Sequence, residues 1–375
     1  MIYLDNAATT FPKPPEVAAE VARSISEYGG NAGHGAHALA LAAARKIYAC
    51  REAASAFFDL GAPERVVFTQ NTTHALNLAL SGVFGIGDHI LISELEHNAV
   101  RRPVLALAQK GLVSVETFPV LGLDDDAILE GLRARIRPDT RAVVCLHASN
   151  IVSAVLPIEK IGALTHRHGL FFIVDAAQSA GLYPISMRRA HIDALAVPAH
   201  KGLYGIQGCG ALLLGERLSP EPLLYGGTGA ASLPAGMPHD LPERYEAGTL
   251  PLPAVAGLLA AFEVLEKIDL AALAEKERAL FVSARDAIGE MPAFHVFAPE
   301  REGGVLLFAA RGHSAPEVAR FLDQKGICVR AGLHCAPMAH KALGTPEDGA
   351  VRVSFGRYNT ERDVRALLDA LREIH

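Results

Sequence analysis

The sequence predicts an α/β fold, in which a large domain with a mostly parallel sheet covered on both faces by helices precedes a smaller α+β domain. Three observations carry that expectation. Short, almost wholly apolar runs recur through the first two thirds of the chain, as strands buried on both faces require. Helix-length segments stand between several of them, so strands and helices alternate. After Leu250 an Ala/Leu-rich stretch replaces the alternation. With 375 residues, 50% of them hydrophobic, the chain has the material for a large core and two domains.

The apolar runs place strands at Arg65 to Phe68, His89 to Ser93, Ala142 to His147, Phe171 to Val174, Ala194 to Val197 and Gly210 to Leu214. In TQNTTHALNLALSGV the first strand leads through Thr69 to Thr73 into a helix whose Ala75, Leu76, Ala79, Leu80 and Val83 recur at helical spacing. Pro157 to His168 is helix-length, and Gly169 supplies its stop. Pro253 to Ile288 reads as one or two helices, a shorter strand-and-helix region follows, and Thr360 to Ile374 reads as the last helix. We therefore expect a large domain over 15–259 and a small one over 260–375. No internal repeat, low-complexity tract or long linker interrupts the chain.

Composition excludes several classes of function. The formal net charge is −6 without a basic cluster, which gives no nucleic-acid footprint. Asp5 and Asn6 stand where a secretory leader would need an apolar core, and the weakly polar stretch Gly248 to Phe262 is too short to span a bilayer. A cytoplasmic enzyme with no membrane partner is expected. Five cysteines without paired spacing argue against a disulfide framework, and the sixteen histidines form no zinc-binding pattern, so no metal is expected.

The chemistry centres on DALAVPAHKGLYGIQGCG, Asp193 to Gly210. Lys201 leaves a short apolar strand between His200 and Gly202, with Gly205 close behind, and tight glycine turns there would hold its amine for a Schiff base with an aldehyde cofactor. Taken alone, it is equally a solvated loop lysine. In GLFFIVDAAQSAG, Asp175 falls where a buried strand ends, at the edge of the sheet where ligands bind in open α/β folds. Facing a pyridine nitrogen it would keep the ring protonated and electron-accepting; otherwise it caps the following helix. In RAGLHCAPMAH, Gly332 and Pro337 place Cys335 on an accessible loop, and His334 with Arg330 would favour its thiolate; Cys328 reads as buried.

Asp175 followed 26 residues later by Lys201 in Ala-His-Lys, together with YLDNAATT, TQNTTHALN, ELEHN, HASN, DAAQS, AHKGLYG, RYEAGTLP, RAGLHCAP and RVSFGRYNT, resembles aminotransferase class V, and within it the cysteine desulfurases and selenocysteine lyases. The resemblance covers nearly the whole chain. It implies a pyridoxal 5'-phosphate enzyme of fold type I, aspartate aminotransferase-like, whose N-terminal segment 1–14 joins the small domain. It also implies a homodimer.

By the same resemblance Thr72 and Thr73 hold the cofactor phosphate, with a helix N-terminus behind them. His97 stacks on the ring and moves protons, and Asn150 and Gln178 meet the phenolic oxygen. His200 and Lys201 complete the contacts, and Thr249 reaches the phosphate of the partner subunit. Arg352 grips the substrate carboxylate, with Arg357 the competing candidate. Lys201 then takes the α-proton of L-cysteine or L-selenocysteine, and Cys335 takes the sulfur as a persulfide for an acceptor protein while alanine leaves. Selenocysteine lyase, or a class V aminotransferase or lyase in which Cys335 is not catalytic, are the alternatives.

Two departures stand out. Pro198 occupies the position of a phosphate-binding serine, and Ile151-Val152-Ser153 replaces a Thr-Gly ending after Asn150. His34 and His37 match the family only partly and are given no role.

Overall fold

The computed structural model describes residues 1–33, 35–229, 235–297 and 303–374; His34 lies outside them. Strands in chain order are β1 (Ile2–Tyr3), β2 (Val66–Thr69), β3 (Asp88–Ser93), β4 (Val113–Phe118), β5 (Thr140–Leu146), β6 (Phe171–Asp175) and β7 (Ala194–Pro198). They continue with β8 (Gly210–Leu214), β9 (Phe294–Val296), β10 (Val305–Ala310), β11 (Ile327–Cys328), β12 (Arg330–Gly332) and β13 (Ala350–Ser354). Helices are α1 (Pro15–Ser26), α2 (Ala38–Phe57), α3 (Thr72–Leu80), α4 (Asn98–Gln109), α5 (Asp125–Arg133) and α6 (Ile158–Arg167). The rest are α7 (Leu252–Leu265), α8 (Leu270–Gly289), α9 (Ala315–Gln324), α10 (Pro337–Leu343) and α11 (Glu361–Leu371).

Seven of the strands pair in the order β2-β8-β7-β6-β5-β3-β4; β8 runs against both its neighbours and the remaining pairs are parallel. Alternate residues along a strand point to opposite faces. Leu91, Val143, Phe172, Val174 and Leu195 therefore enter one buried cluster, beneath Ile47 of α2, Ile161 of α6 and Phe262 of α7. Ile90, Ile92, Val144, Ile173 and Ala196 enter the other, beneath Leu76 of α3 and Val100 and Val104 of α4. Two covered faces explain why these strands read as unbroken apolar runs. The apolar-run criterion misses β4, because this edge strand buries only Val113 and Phe118 and carries Ser114 and Glu116 between them.

A third cluster gathers Leu280, Phe281, Phe308, Leu322, Val353 and Leu367 around the antiparallel sheet β12-β13-β10-β9. The chain runs through residue 260 inside α7, which still belongs to the first cluster through Leu258, Phe262 and Leu265; the third cluster starts with α8. The N-terminal segment touches both bodies. Ile2 and Tyr3 pair with β11, and Leu4 enters the third cluster. Further on, Thr9, Thr10 and Lys13 bond to the carbonyls of His200 and Lys201.

Candidate active site

The parallel strands end on one side of the sheet, and their C-termini bring the predicted residues together. A cavity of about 540 Å³ is lined by Thr72, Thr73, His97, Asn150, Asp175, Gln178, Pro198, His200 and Lys201, with Asn71, Ala148 and Ala177 between them. β7 ends at Pro198, and the next turn carries His200 and Lys201. The reason for the glycines there differs from the expected one. Neither Gly202 nor Gly205 adopts a left-handed conformation; the positive φ, 60°, falls on Tyr204. Gly202 is needed for close approach, since a Cβ would stand 2.4 Å from the Ala180 carbonyl oxygen.

The turn is clamped from outside. The His200 carbonyl accepts from Thr9 Oγ1 at 2.9 Å and Lys13 Nζ at 2.6 Å, and the Lys201 carbonyl accepts from Thr10 Oγ1 at 2.9 Å. Burial brings the Lys201 amine down to about 8, with Asp175 opposing and Arg352 adding to the effect. A minor but far larger fraction of that amine than of an ordinary lysine is thus neutral and nucleophilic near physiological pH.

Asp175, 3% exposed, ends β6 and lines the cavity; a turn rather than the expected helix follows, and Oδ1 accepts the Ala177 N–H there at 2.9 Å. Burial raises its pKa, while the Ala177 N–H and Lys201 oppose the rise. His97 is the N-cap of α4, its Nδ1 accepting the Ala99 N–H at 3.0 Å. That bond puts the ring proton on Nε2. Burial and the nearby charges of Lys201 and Arg352 bring the imidazole down to about 4, so the ring is neutral.

Whether pyridoxal phosphate fits can be judged from the buried polar atoms of this wall. Thr72 Oγ1, Asn150 Oδ1 and His200 Nδ1 are buried without a partner among the described residues. Thr72 and Thr73 open α3, where the first N–H groups have no intrahelical acceptor, and Asn71 caps the helix by accepting from His74 N at 2.9 Å. Gly210 lets β8 start against that helix, since a Cβ would lie 3.0 Å from Asn71 Cα. An anion-binding end, a lysine of lowered pKa, a strand-end carboxylate and a flat neutral imidazole suit the phosphate, aldehyde and ring of that cofactor. Among the described residues no cluster suits a metal ion.

The other predicted residues stand around this wall. Arg352, on β13, is 2% exposed and sits one residue behind it, donating from Nη1 to the Asn150 carbonyl at 3.0 Å and from Nη2 to Asp5 at 2.8 Å. The Arg357 main-chain carbonyl accepts from Lys276 Nζ, and one nitrogen of its guanidinium, Nη1, is buried without a partner among the described residues. Thr249 is exposed and lines a different groove, with Ile25 and Tyr48.

Cys335 is exposed on the loop between β12 and α10. The loop docks on the wall by its main chain: the His334 carbonyl accepts from Asn150 Nδ2, and the Cys335 carbonyl from the Asn98 N–H, both at 2.8 Å. Two expectations need correction. His334 is brought down to about 3, chiefly by burial and by Arg352, so it is no cation, whereas Arg330, though bound to Asp5, still interacts electrostatically with Cys335. Cys328, on the short strand β11, is partly exposed rather than buried.

Sequence reasoning missed Asp5, Lys13 and Glu96. Glu96 is fully buried beside His97, and its Oε1 accepts from Ser93 Oγ at 2.5 Å and from Leu146 N at 2.9 Å. Burial, with Asp175 adding, raises it to about 8. The available signal was weak: Glu96 is the second of two acids in the polar strand-to-helix junction ELEHN.

Fold and cavity together define the class: a pyridoxal-phosphate enzyme of fold type I. The aminotransferase class-V family model matches residues 2–367, and the chain belongs to that family. A probable cysteine desulfurase of Methanothermobacter thermautotrophicus is 32% identical over 100% of this chain and 94% of its own length. A cysteine desulfurase of Klebsiella pneumoniae is 32% identical over 100% and 93%. Among solved structures, the apo cysteine desulfurase of Thermococcus onnurineus superposes with a TM-score of 0.91 at 32% identity, covering 100% of this chain and 94% of that one. The cysteine desulfurase CsdA of Escherichia coli, in an S-sulfonic acid form, gives 0.88 at 30%, covering 99% and 94%.

Proposed function

We propose that this protein is a cysteine desulfurase that converts L-cysteine to L-alanine and holds the released sulfur as a persulfide on Cys335 for transfer to an acceptor protein. The observation that carries the reading is the docking of an exposed cysteine loop onto the same wall that presents Lys201 and Asp175. Pyridoxal phosphate, when bound, supplies an electron-accepting ring. Thr72 and Thr73 would anchor its phosphate, Asp175 would pair with its ring nitrogen, and His97 would pack against its ring.

Lys201, its amine lowered to about 8 and so more readily neutral than an ordinary lysine, removes the α-proton and shuttles it on to the product. Arg352 orients the substrate through its carboxylate. The Cys335 thiolate attacks the substrate sulfur; as the new sulfur–sulfur bond forms, the bond between that sulfur and the β-carbon breaks, and its electron pair stays with the β-carbon, which takes up a proton to become the methyl group of alanine. A thiol of the acceptor then attacks the persulfide.

The active form in this proposal is a homodimer in which Thr249 meets the partner's cofactor phosphate and stands in for the hydroxyl missing at Pro198. Exposed Thr249 supports it, as does Pro198 in the cavity lining, which offers no hydroxyl. A reducing, cytoplasmic setting fits five free cysteines. No helix among the described residues is long and apolar enough to cross a membrane. The test is alanine release from L-cysteine and L-selenocysteine by the purified protein loaded with cofactor. Alanine from L-cysteine supports the reading; alanine from L-selenocysteine alone would move the assignment to selenocysteine lyase.

A further inference from the structure

Two guanidiniums close on one buried carboxylate beside the site. Arg330 donates to Asp5 from Nε at 3.0 and 3.2 Å and meets Oδ2 through Nη2 at 2.8 Å, and Arg352 reaches Oδ1 through Nη2 at 2.8 Å. Asp5 is 7% and Arg352 2% exposed, so these two interact with little screening by water, while Arg330 closes the group from the solvent side. Arg352 Nε is buried without a partner among the described residues, while the Arg330 side chain is 51% exposed. The group is therefore closed on the Asp5 side and still has donors to offer.

The charges add simply. Two guanidiniums and one carboxylate leave a single positive charge. The neighbouring imidazoles of His97 and His334 are neutral, and Tyr3, whose pKa is raised by burial and by Asp5, stays uncharged. Lys201 is the other cation that acts on the cluster, from the cavity side.

We propose that Asp5 sets the anion preference of the substrate site: shared by Arg330 and Arg352, it leaves them one net positive charge, which matches a single carboxylate and selects against dianions. The inference rests on the reading of Arg352 as the carboxylate-binding residue. Two unopposed guanidiniums would make a site for sulfate or phosphate, whose two charges and tetrahedral oxygens such a pair suits. One carboxylate built between them removes that preference, so discrimination comes from an element that disfavours the wrong ligand.

The test uses the cofactor-loaded enzyme, with inorganic sulfate and acetate as competitive inhibitors of L-cysteine turnover at constant ionic strength. Asp5→Asn keeps the shape and removes the charge. Its sulfate inhibition constant falls at least about tenfold relative to that of acetate, as one added positive charge at short range requires. Arg330→Gln shifts the balance the other way, to one guanidinium against one carboxylate, and raises the KM for L-cysteine and both inhibition constants. An unchanged sulfate-to-acetate ratio in Asp5→Asn overturns the proposal.

If Asp5→Asn does not fold, Arg330→Gln decides, and an unchanged acetate constant there overturns it equally. Arg352→Lys separates this inference from the reading beneath it. If that variant keeps the KM of the parent, the carboxylate role of Arg352 fails; if its KM rises while the Asp5→Asn ratio stays put, only the role of Asp5 fails.

Discussion

The cavity wall and the Cys335 loop meet through two hydrogen bonds, yet they are built in opposite ways. The wall is made of strand ends and a helix start, and Thr72, Asn150 and Asp175 are all buried in it. Asp175 is fixed there by the Ala177 N–H and Asn150 by the His334 carbonyl of the loop itself. The loop is exposed and carries two successive residues of positive φ, His334 at 49° and Cys335 at 56°. It is anchored by carbonyl groups, so the thiol takes no part in holding it. Proton chemistry needs groups fixed within hydrogen-bond reach, whereas a sulfur carrier has to present its load outward. The difference implies that the two steps can be broken separately.

The largest effect is expected at Lys201. Lys201→Ala removes turnover altogether, and borohydride then no longer fixes the cofactor to the protein; fixation on another lysine would contradict the assignment. Asp175→Asn leaves cofactor bound but lowers turnover by roughly two to four orders of magnitude, the scale of a lost partner in proton transfer. Near-normal turnover would take Asp175 out of the mechanism.

The charge state of Lys201 predicts a pH dependence of loading. Because only the neutral amine attacks the aldehyde, the rate of cofactor attachment to the apo protein rises about tenfold per pH unit and levels off near the lysine's value of about 8. A plateau above pH 10 would show an ordinary surface-like amine.

Thr249→Ala weakens cofactor affinity by roughly tenfold, the worth of one hydrogen bond to a charged group, without changing the bound cofactor's absorbance. Equilibrium dialysis checks it, and unchanged affinity speaks against the dimer-crossing contact.

The smallest effect concerns Glu96. A carboxyl raised from 4.5 to about 8 by folding binds its proton more tightly in the folded state. Its contribution to stability is thus full below about 4.5 and declines as pH rises toward 8. Glu96→Gln, which stays neutral, flattens that decline. Unfolding midpoints measured across the range for both proteins would show the difference, and parallel curves would mean that Glu96 ionises normally.

Much of the wall was legible because strand-end residues announce themselves: an apolar run such as LFFIV stops at Asp175, and ALAV leads to His200 and Lys201. The same periodicity gave six strands of the central sheet but not β4, whose polar edge residues break the pattern. Contacts between distant segments left no local trace. Nothing in YLDNAATT says that Asp5 will meet Arg330 and Arg352, or that Lys13 will bond to the His200 carbonyl. Glu96 was hidden for a related reason, since its partner Leu146 is a backbone N–H fifty residues away. Gly332 and Pro337 did mark the Cys335 loop, and of its two expected cationic neighbours Arg330 acts on it while burial keeps His334 neutral.

The central claim, that the wall performs the proton chemistry and the loop takes the sulfur, is tested most directly by mapping persulfide after a short pulse of L-cysteine under non-reducing conditions. The account predicts one added sulfur on the peptide containing Cys335. In Cys335→Ala it predicts none, with alanine release from L-cysteine lost while the cofactor stays attached to Lys201 and keeps its visible absorbance. Persulfide on the Cys328 peptide, or full desulfurase activity in Cys335→Ala, would contradict it.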